Sequence, residues 1–135
     1  MMRFLEYVLP KLYPELSIVI EESGRLGEDI YAYYDVSCHT LHIDCDVYDR
    51  ACENVPRDLF TITHEISHVL LLEDSTIMLA RREKFAAFRD PEWQANELAA
   101  ELLAPHDEIV DMSVSEVASR YIVSRQMAQI QKTKK

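Results

Sequence analysis

FTITHEISHVLL, residues 60–71, is the stretch of this 135-residue chain that decides its fold. Apolar residues recur through it at helical spacing and form the stripe Leu59, Ile62, Ile66 and Val69. The helical period starts near Pro56. The stripe therefore predicts an amphipathic helix with one face turned to the core and the opposite face available for a site.

The same helix contains an H-E-x-x-H pattern, from His64 to His68. Residues four apart lie on one helix face, about 6 Å apart along the axis, so the two imidazoles can converge on one ion. Glu65 lies at the edge of that face, where its carboxylate can serve as a general base without being a ligand. The alternative is a buried helix that carries two histidines by chance. The opposed apolar stripe favours a zinc site.

A catalytic zinc site needs a third protein ligand and leaves its fourth position to water. Three carboxylates lie on a second helix, predicted over residues 90–104, and these are Glu92, Glu97 and Glu101. Glu92 shares a helix face with two alanines, which would permit close packing. Two interpretations of Glu92 stay equally open on geometry, a metal ligand or a first-turn acid that stabilises the helix N-terminus.

The rest of the chain predicts strands first and helices afterwards, which indicates a single α+β domain over residues 1–135. Its parts are an N-terminal helix in 1–16, a small, mostly antiparallel three-stranded sheet in 17–45, the zinc-binding helices in 57–105 with an amphipathic stretch at 76–88, and a C-terminal helical pair in 113–131. The sheet is expected to pack on the H-E-x-x-H helix and the second ligand-bearing helix.

Composition excludes several classes of protein. Fourteen basic residues against 24 acidic ones leave a net charge of −10, which disfavours nucleic acid as a partner. The C-terminal pair looks like a small helix-turn-helix, but Ile122 occupies its turn in place of glycine. No apolar run approaches the roughly 20 residues of a membrane span. Three cysteines without a paired spacing and an N-terminus unlike a signal peptide predict a reduced, cytoplasmic protein.

FTITHEISHVLL followed by EWQANELAAELLAP, residues 92–105, resembles the ImmA/IrrE family of zinc metallopeptidases. The second motif has the form E-x-x-A-N-x-x-A-A-x-L-L-x-P, and the resemblance extends over residues 30–105. It implies a minimal zincin-like domain in which His64, His68 and Glu92 bind Zn²⁺ and Glu65 is the catalytic base. Ser67 stands where glycine is usual, and Leu98 replaces the usual phenylalanine.

The resemblance implies a zinc endopeptidase, and more narrowly a regulatory protease of a phage or mobile element that cleaves a helix-turn-helix repressor encoded nearby. The alternative is a zinc-containing interaction protein that inactivates a regulator by binding, without proteolysis. The acidic charge would attract a basic substrate. We also expect the substrate to add as a strand to residues 38–44. The oligomeric state stays open, and so does the group that stabilises the oxyanion, for which Tyr48, Arg57 and His106 are weak candidates.

Overall fold

The structure is a computed structural model that describes residues 1–73 and 91–134. The chain divides into two compact units, Met1–Glu65 and Ile66–Lys135, with the boundary inside the central helix. The amphipathic stretch predicted at 76–88 lies outside the described residues, as does Asp90, the first residue of the predicted second helix. The α+β class is confirmed, with a small sheet near the N-terminus and helices after it.

The first unit begins with a π-helical turn, Phe4–Val8, that continues into the short helix α1, Leu9–Leu12. The N–H of Leu9 donates to the carbonyl of Phe4, five residues back. Pro10 follows at once and has no N–H to donate, and α1 tolerates it because it lies in the first turn. Leu5 and Leu9 point inward and are almost completely buried.

Three strands form the sheet: β1, Ser17–Glu21, β2, Ala32–Asp35, and β3, Thr40–Asp44. The spatial order is β1-β3-β2, so β3 is central. β3 pairs antiparallel with β2 but parallel with β1. The predicted number of strands is therefore confirmed, whereas the mostly antiparallel arrangement is wrong. After β1, the chain passes to β2 at the opposite edge of the sheet and then returns to β3 between them, so β1 and β3 run in the same direction.

The central place of β3 has two consequences. Leu41 and Ile43 of β3 are completely buried, whereas His42 between them points to the other face. Both edges of β3 are already paired, because β1 lies on one side and β2 on the other. The hypothesis that substrate adds a strand to residues 38–44 is therefore wrong.

Helix α2, Cys45–Cys52, follows the sheet directly and was not predicted. Its N-cap is Asp44, whose Oδ1 accepts from the N–H of Asp46 at 2.8 Å. Val47 and Ala51 lie four residues apart and form its buried face. The cap and this spacing were the available signals for the helix.

Helix α3, Pro56–Glu73, is the predicted central helix. Near its start, the buried carboxylate of Asp58 accepts from the guanidinium of Arg50 on α2, with Nε to Oδ2 at 3.1 Å and Nη2 to Oδ1 at 3.3 Å. This bidentate ion pair links the beginning of α3 to α2.

The described part of the second unit continues with α4, Pro91–Leu103, α5, His106–Ile109, α6, Val114–Tyr121, and α7, Arg125–Thr133. Ser113 caps α6 and Ser124 caps α7, each through a side-chain oxygen that accepts a backbone N–H about one turn on. The predicted C-terminal pair is thus confirmed. The hydrophobic core of this part of the chain is formed by apolar residues between the end of α4 and the middle of α7, namely Ala104, Ile109, Val117, Val123 and Ala128. Across 1–73 and 91–134, we find no helix with the length and apolarity that a membrane crossing needs.

Candidate metal centre

The central helix has the two faces that its sequence predicts. Its apolar stripe is buried, with Leu59 4% exposed and Ile62, Ile66 and Val69 completely enclosed. Ser67, between the two histidines, is also completely buried.

His64, Glu65 and His68 are all partly exposed. One ligand atom from each, an imidazole nitrogen or a carboxylate oxygen, lies within 4.8 Å of the others. The helix produces this grouping because one turn separates the histidines and brings their rings to one side. Two imidazoles at this spacing can share a single ion.

Glu92 lies in the first turn of α4, and its Oε1 is 2.9 Å from Nε2 of His68. The side chain of Glu92 is 66% exposed, whereas that of His68 is 15% exposed. The contact therefore joins an accessible carboxylate to a largely enclosed imidazole. The structure thus brings Glu92 to His68, whereas the group of ligand atoms within 4.8 Å of one another consists of His64, Glu65 and His68.

The other two candidate carboxylates of α4 have different partners. Glu97 pairs with Nζ of Lys134 at 3.1 Å. Glu101 accepts from the side-chain amide of Gln131 at 2.8 Å and from the backbone N–H of His106 at 3.1 Å. Both acids thus stabilise contacts near the end of the chain. Glu92 is the α4 carboxylate that the structure brings to a histidine of the motif.

A second group of potential ligand atoms, on Asp44, Cys45 and Asp46, also lies within 4.8 Å. Burial disfavours the charged form of Asp44, but the backbone N–H groups of Gly24, Asp46 and Val47 outweigh burial and lower the pKa of its carboxyl. Asp46 accepts from the Ser23 hydroxyl at 2.5 Å. These contacts hold the start of α2, so the group has a structural explanation.

The three weak candidates for oxyanion stabilisation have contacts of a structural kind. The hydroxyl of Tyr48 donates to Glu6, and this bond together with burial raises the pKa of Tyr48. Nδ1 of His106 lies 3.0 Å from the carbonyl oxygen of Gln131. Arg57 is exposed in the first turn of α3. These positions give no support for a catalytic role.

Comparison with known families decides the identity of the domain. Residues 48–131 match the model of the IrrE N-terminal-like domain, Peptidase_M78. The chain belongs to this family. The matched segment includes His64, Glu65, His68 and Glu92, and the resemblance to the ImmA/IrrE family is confirmed. No curated protein matches the chain significantly.

Membership of the Peptidase_M78 family indicates a metallopeptidase-like domain, with peptidase activity at the level of the family. The donor chemistry of the site agrees with a metal cofactor. Two imidazoles and a carboxylate suit a borderline-soft divalent cation, whereas calcium and magnesium prefer oxygen ligands throughout. The grouping of His64, Glu65 and His68 therefore fits the family.

Proposed function

We propose that the protein is a zinc-dependent endopeptidase. The observation that carries the proposal is the grouping of ligand atoms from His64, Glu65 and His68 on one helix, within 4.8 Å of one another. The family supports the peptidase activity, and the donor set supports a metal. The choice of zinc follows from the proposed ligands His64, His68 and Glu92, because two histidines and one carboxylate are a common ligand set in catalytic zinc sites.

His64, His68 and Glu92 would hold the metal. The 2.9 Å contact between His68 and Glu92 supports this assignment, because the carboxylate already lies beside one of the imidazoles. When bound, zinc supplies a Lewis acid that polarises a carbonyl group and makes water acidic enough to react near neutral pH.

Glu65 is the general base in this proposal. It is partly exposed and next to His64 in sequence, so its carboxylate can reach a water molecule at the site, while both imidazoles would bind the metal. The carboxylate takes a proton from the attacking water and then delivers it to the amine that leaves when the peptide bond breaks. Both proton transfers need only one carboxylate that is held near the scissile bond.

The proposed substrate is a helix-turn-helix repressor encoded near this protein on a phage or mobile element. The resemblance to the ImmA/IrrE family supports this choice. The net charge of −10 is an independent reason, because DNA-binding proteins carry basic surfaces that an acidic protein attracts. The cytoplasm is the compartment in which such a repressor acts.

The test is incubation of the purified, zinc-loaded protein with the repressor encoded beside its gene, followed by mass analysis of the products. We expect cleavage at a defined bond, which a chelator abolishes and which Glu65→Gln abolishes while the protein keeps its zinc. A stable complex without cleavage, formed equally well by Glu65→Gln, would instead establish a protein that inactivates its regulator by binding.

A further inference from the structure

The sheet of the first unit has an outward face that carries apolar and aromatic side chains. Val19 of β1 and Tyr33 of β2 are both register partners of His42 on the central strand. These three residues, here called the outward row, cross all three strands on the face opposite to buried Leu41 and Ile43. Val19 is 37% exposed and Tyr33 is 39% exposed. Outward positions of a half-buried sheet are usually polar, so this row needs a different explanation.

The outward row is held in a fixed arrangement. The rings of Tyr33 and His42 are stacked, with centroids 4.6 Å apart and planes inclined by 16°. Nδ1 of His42 lies 2.9 Å from Oε1 of Glu21, and the other oxygen of Glu21 lies 3.5 Å from Nε of Arg25. Glu21 therefore orients the imidazole, and the imidazole supports the tyrosine ring. A fixed aromatic ring can bind a partner without first losing side-chain entropy.

The sequence around the outward row is strongly acidic. Residues 17–46 contain seven carboxylates and a single lysine or arginine, Arg25. Glu21 and Asp35 lie two residues from Val19 and Tyr33 on their own strands, hence on the same face of the sheet. The segment that contains the outward row thus carries a net charge of −6, seven acids and one arginine, out of −10 for the whole chain.

We propose that the outward row docks an arginine-bearing basic segment of a protein partner. A guanidinium group can stack on an aromatic ring while its N–H groups bond to carboxylates, and this face offers both. The apolar side chain of Val19 can pack against the aliphatic part of the same segment. In combination with the proposed peptidase function, on which this interpretation rests, the row is a docking surface that selects basic protein substrates.

The experiment uses the Glu65→Gln protein, in which binding is separated from cleavage. We titrate the ¹⁵N-labelled protein with an octa-arginine peptide and, separately, with an octa-lysine peptide. Amide shifts concentrated in residues 17–44 are expected, with octa-arginine binding about threefold more tightly because guanidinium stacks better on a ring. Equal affinities, or shifts spread evenly over acidic positions of the chain, would overturn the proposal.

Two sets of variants with matched controls separate docking at the row from general charge attraction and from misfolding. Tyr33→Ser should weaken octa-arginine binding about fivefold, whereas Tyr33→Phe, which keeps the ring, and Tyr7→Ser, at an exposed tyrosine elsewhere, should bind normally. Binding by Tyr33→Ser that equals that of Tyr7→Ser would refute the role of the ring.

The second set of variants reverses charges. Glu22→Lys with Glu28→Lys changes the charge near the row, and Glu108→Lys with Asp111→Lys makes the same change in the second unit. Only the first double variant should lose affinity, and equal losses would contradict docking at the row. Cleavage of the neighbouring repressor by the wild-type protein is measured separately. Failure of that cleavage would refute the peptidase function and leave the docking result intact.

Discussion

Replacing Glu92 by alanine separates the two interpretations of this residue. Glu92 contacts His68 through a side chain that is 66% exposed. An exposed ion pair or a first-turn acid contributes about 0.5 kcal/mol or less. Glu92→Ala should therefore change the free energy of unfolding of the metal-free protein by no more than that amount.

The effect on metal binding should be far larger. Loss of a group that merely orients a metal ligand weakens affinity by about 10- to 100-fold, so loss of a direct ligand should cost about 100-fold or more. At a zinc concentration of about 100 times the wild-type Kd, zinc stabilises the wild type by about 2.7 kcal/mol, but a site weakened 100-fold gains only about 0.4 kcal/mol. For a chain of this size the difference is about 9 °C in Tm.

The assay is thermal unfolding with and without zinc, together with a competition titration against a chelating dye. Glu97→Ala is the matched control, because Glu97 is also an α4 glutamate in an ion pair, with Lys134 at 3.1 Å. Glu97→Ala should keep the full zinc-dependent shift. If both variants respond to zinc like the wild type, Glu92 is not a ligand. If metal-free Glu92→Ala loses well over 1 kcal/mol, its role is structural.

Three further predictions concern the stability of the fold. Arg50→Met should destabilise the protein by about 3 kcal/mol in urea unfolding, because the carboxylate of Asp58 stays buried without its ion-pair partner. This value is the lower end of the range for a broken buried pair, since Arg50 is itself 41% exposed. An unchanged midpoint would contradict this prediction. Asp44→Ala should cost about 1 kcal/mol near neutral pH. Because the folded pKa of this carboxyl lies below 3.8, its stabilisation is complete above that pH and fades as the pH falls further, so the gap between variant and wild type must narrow in acid. Ile122 has a left-handed backbone with φ of 56°, a conformation that asparagine adopts more easily than isoleucine. Ile122→Asn should therefore stabilise the protein by about 0.5–1 kcal/mol in calorimetry. A loss of stability would mean that the apolar contacts of Ile122 outweigh the backbone strain.

The central helix could be predicted from sequence because its information is local. The apolar stripe and the H-E-x-x-H spacing both depend on the helical repeat alone, so the residues that define the pattern also define the geometry. The caps of the last two helices were predictable for the same reason. Ser113 and Ser124 bond to backbone groups only three residues away.

The order of the strands could not be predicted in the same way. Alternation along a strand shows which residues face inward, but it does not show which strand lies beside which. Residues 17–21 look alike whether they pair with β2 or with β3, and the observed parallel pairing with β3 depends on contacts between distant parts of the chain. The prediction of a mostly antiparallel sheet failed for this reason.

The third ligand is an intermediate case. Helical spacing places Glu92 on the alanine-bearing face of α4, away from Glu97 and Glu101. It cannot say whether Glu92 binds a metal or stabilises the helix N-terminus, and the resemblance to a family was needed to choose between the two. In the structure, Glu97 and Glu101 bind Lys134 and Gln131, both close to the C-terminus. No local sequence pattern around α4 predicts these partners.

The most direct test of the central claim measures zinc content and peptide cleavage in the same preparation, for wild type, Glu65→Gln and the control Glu97→Gln. The metallopeptidase account predicts about one zinc per chain in all three, with cleavage reduced by about 10²- to 10⁴-fold in Glu65→Gln alone. Cleavage by zinc-loaded Glu65→Gln at the wild-type rate would contradict the account, because no general base would then have been lost.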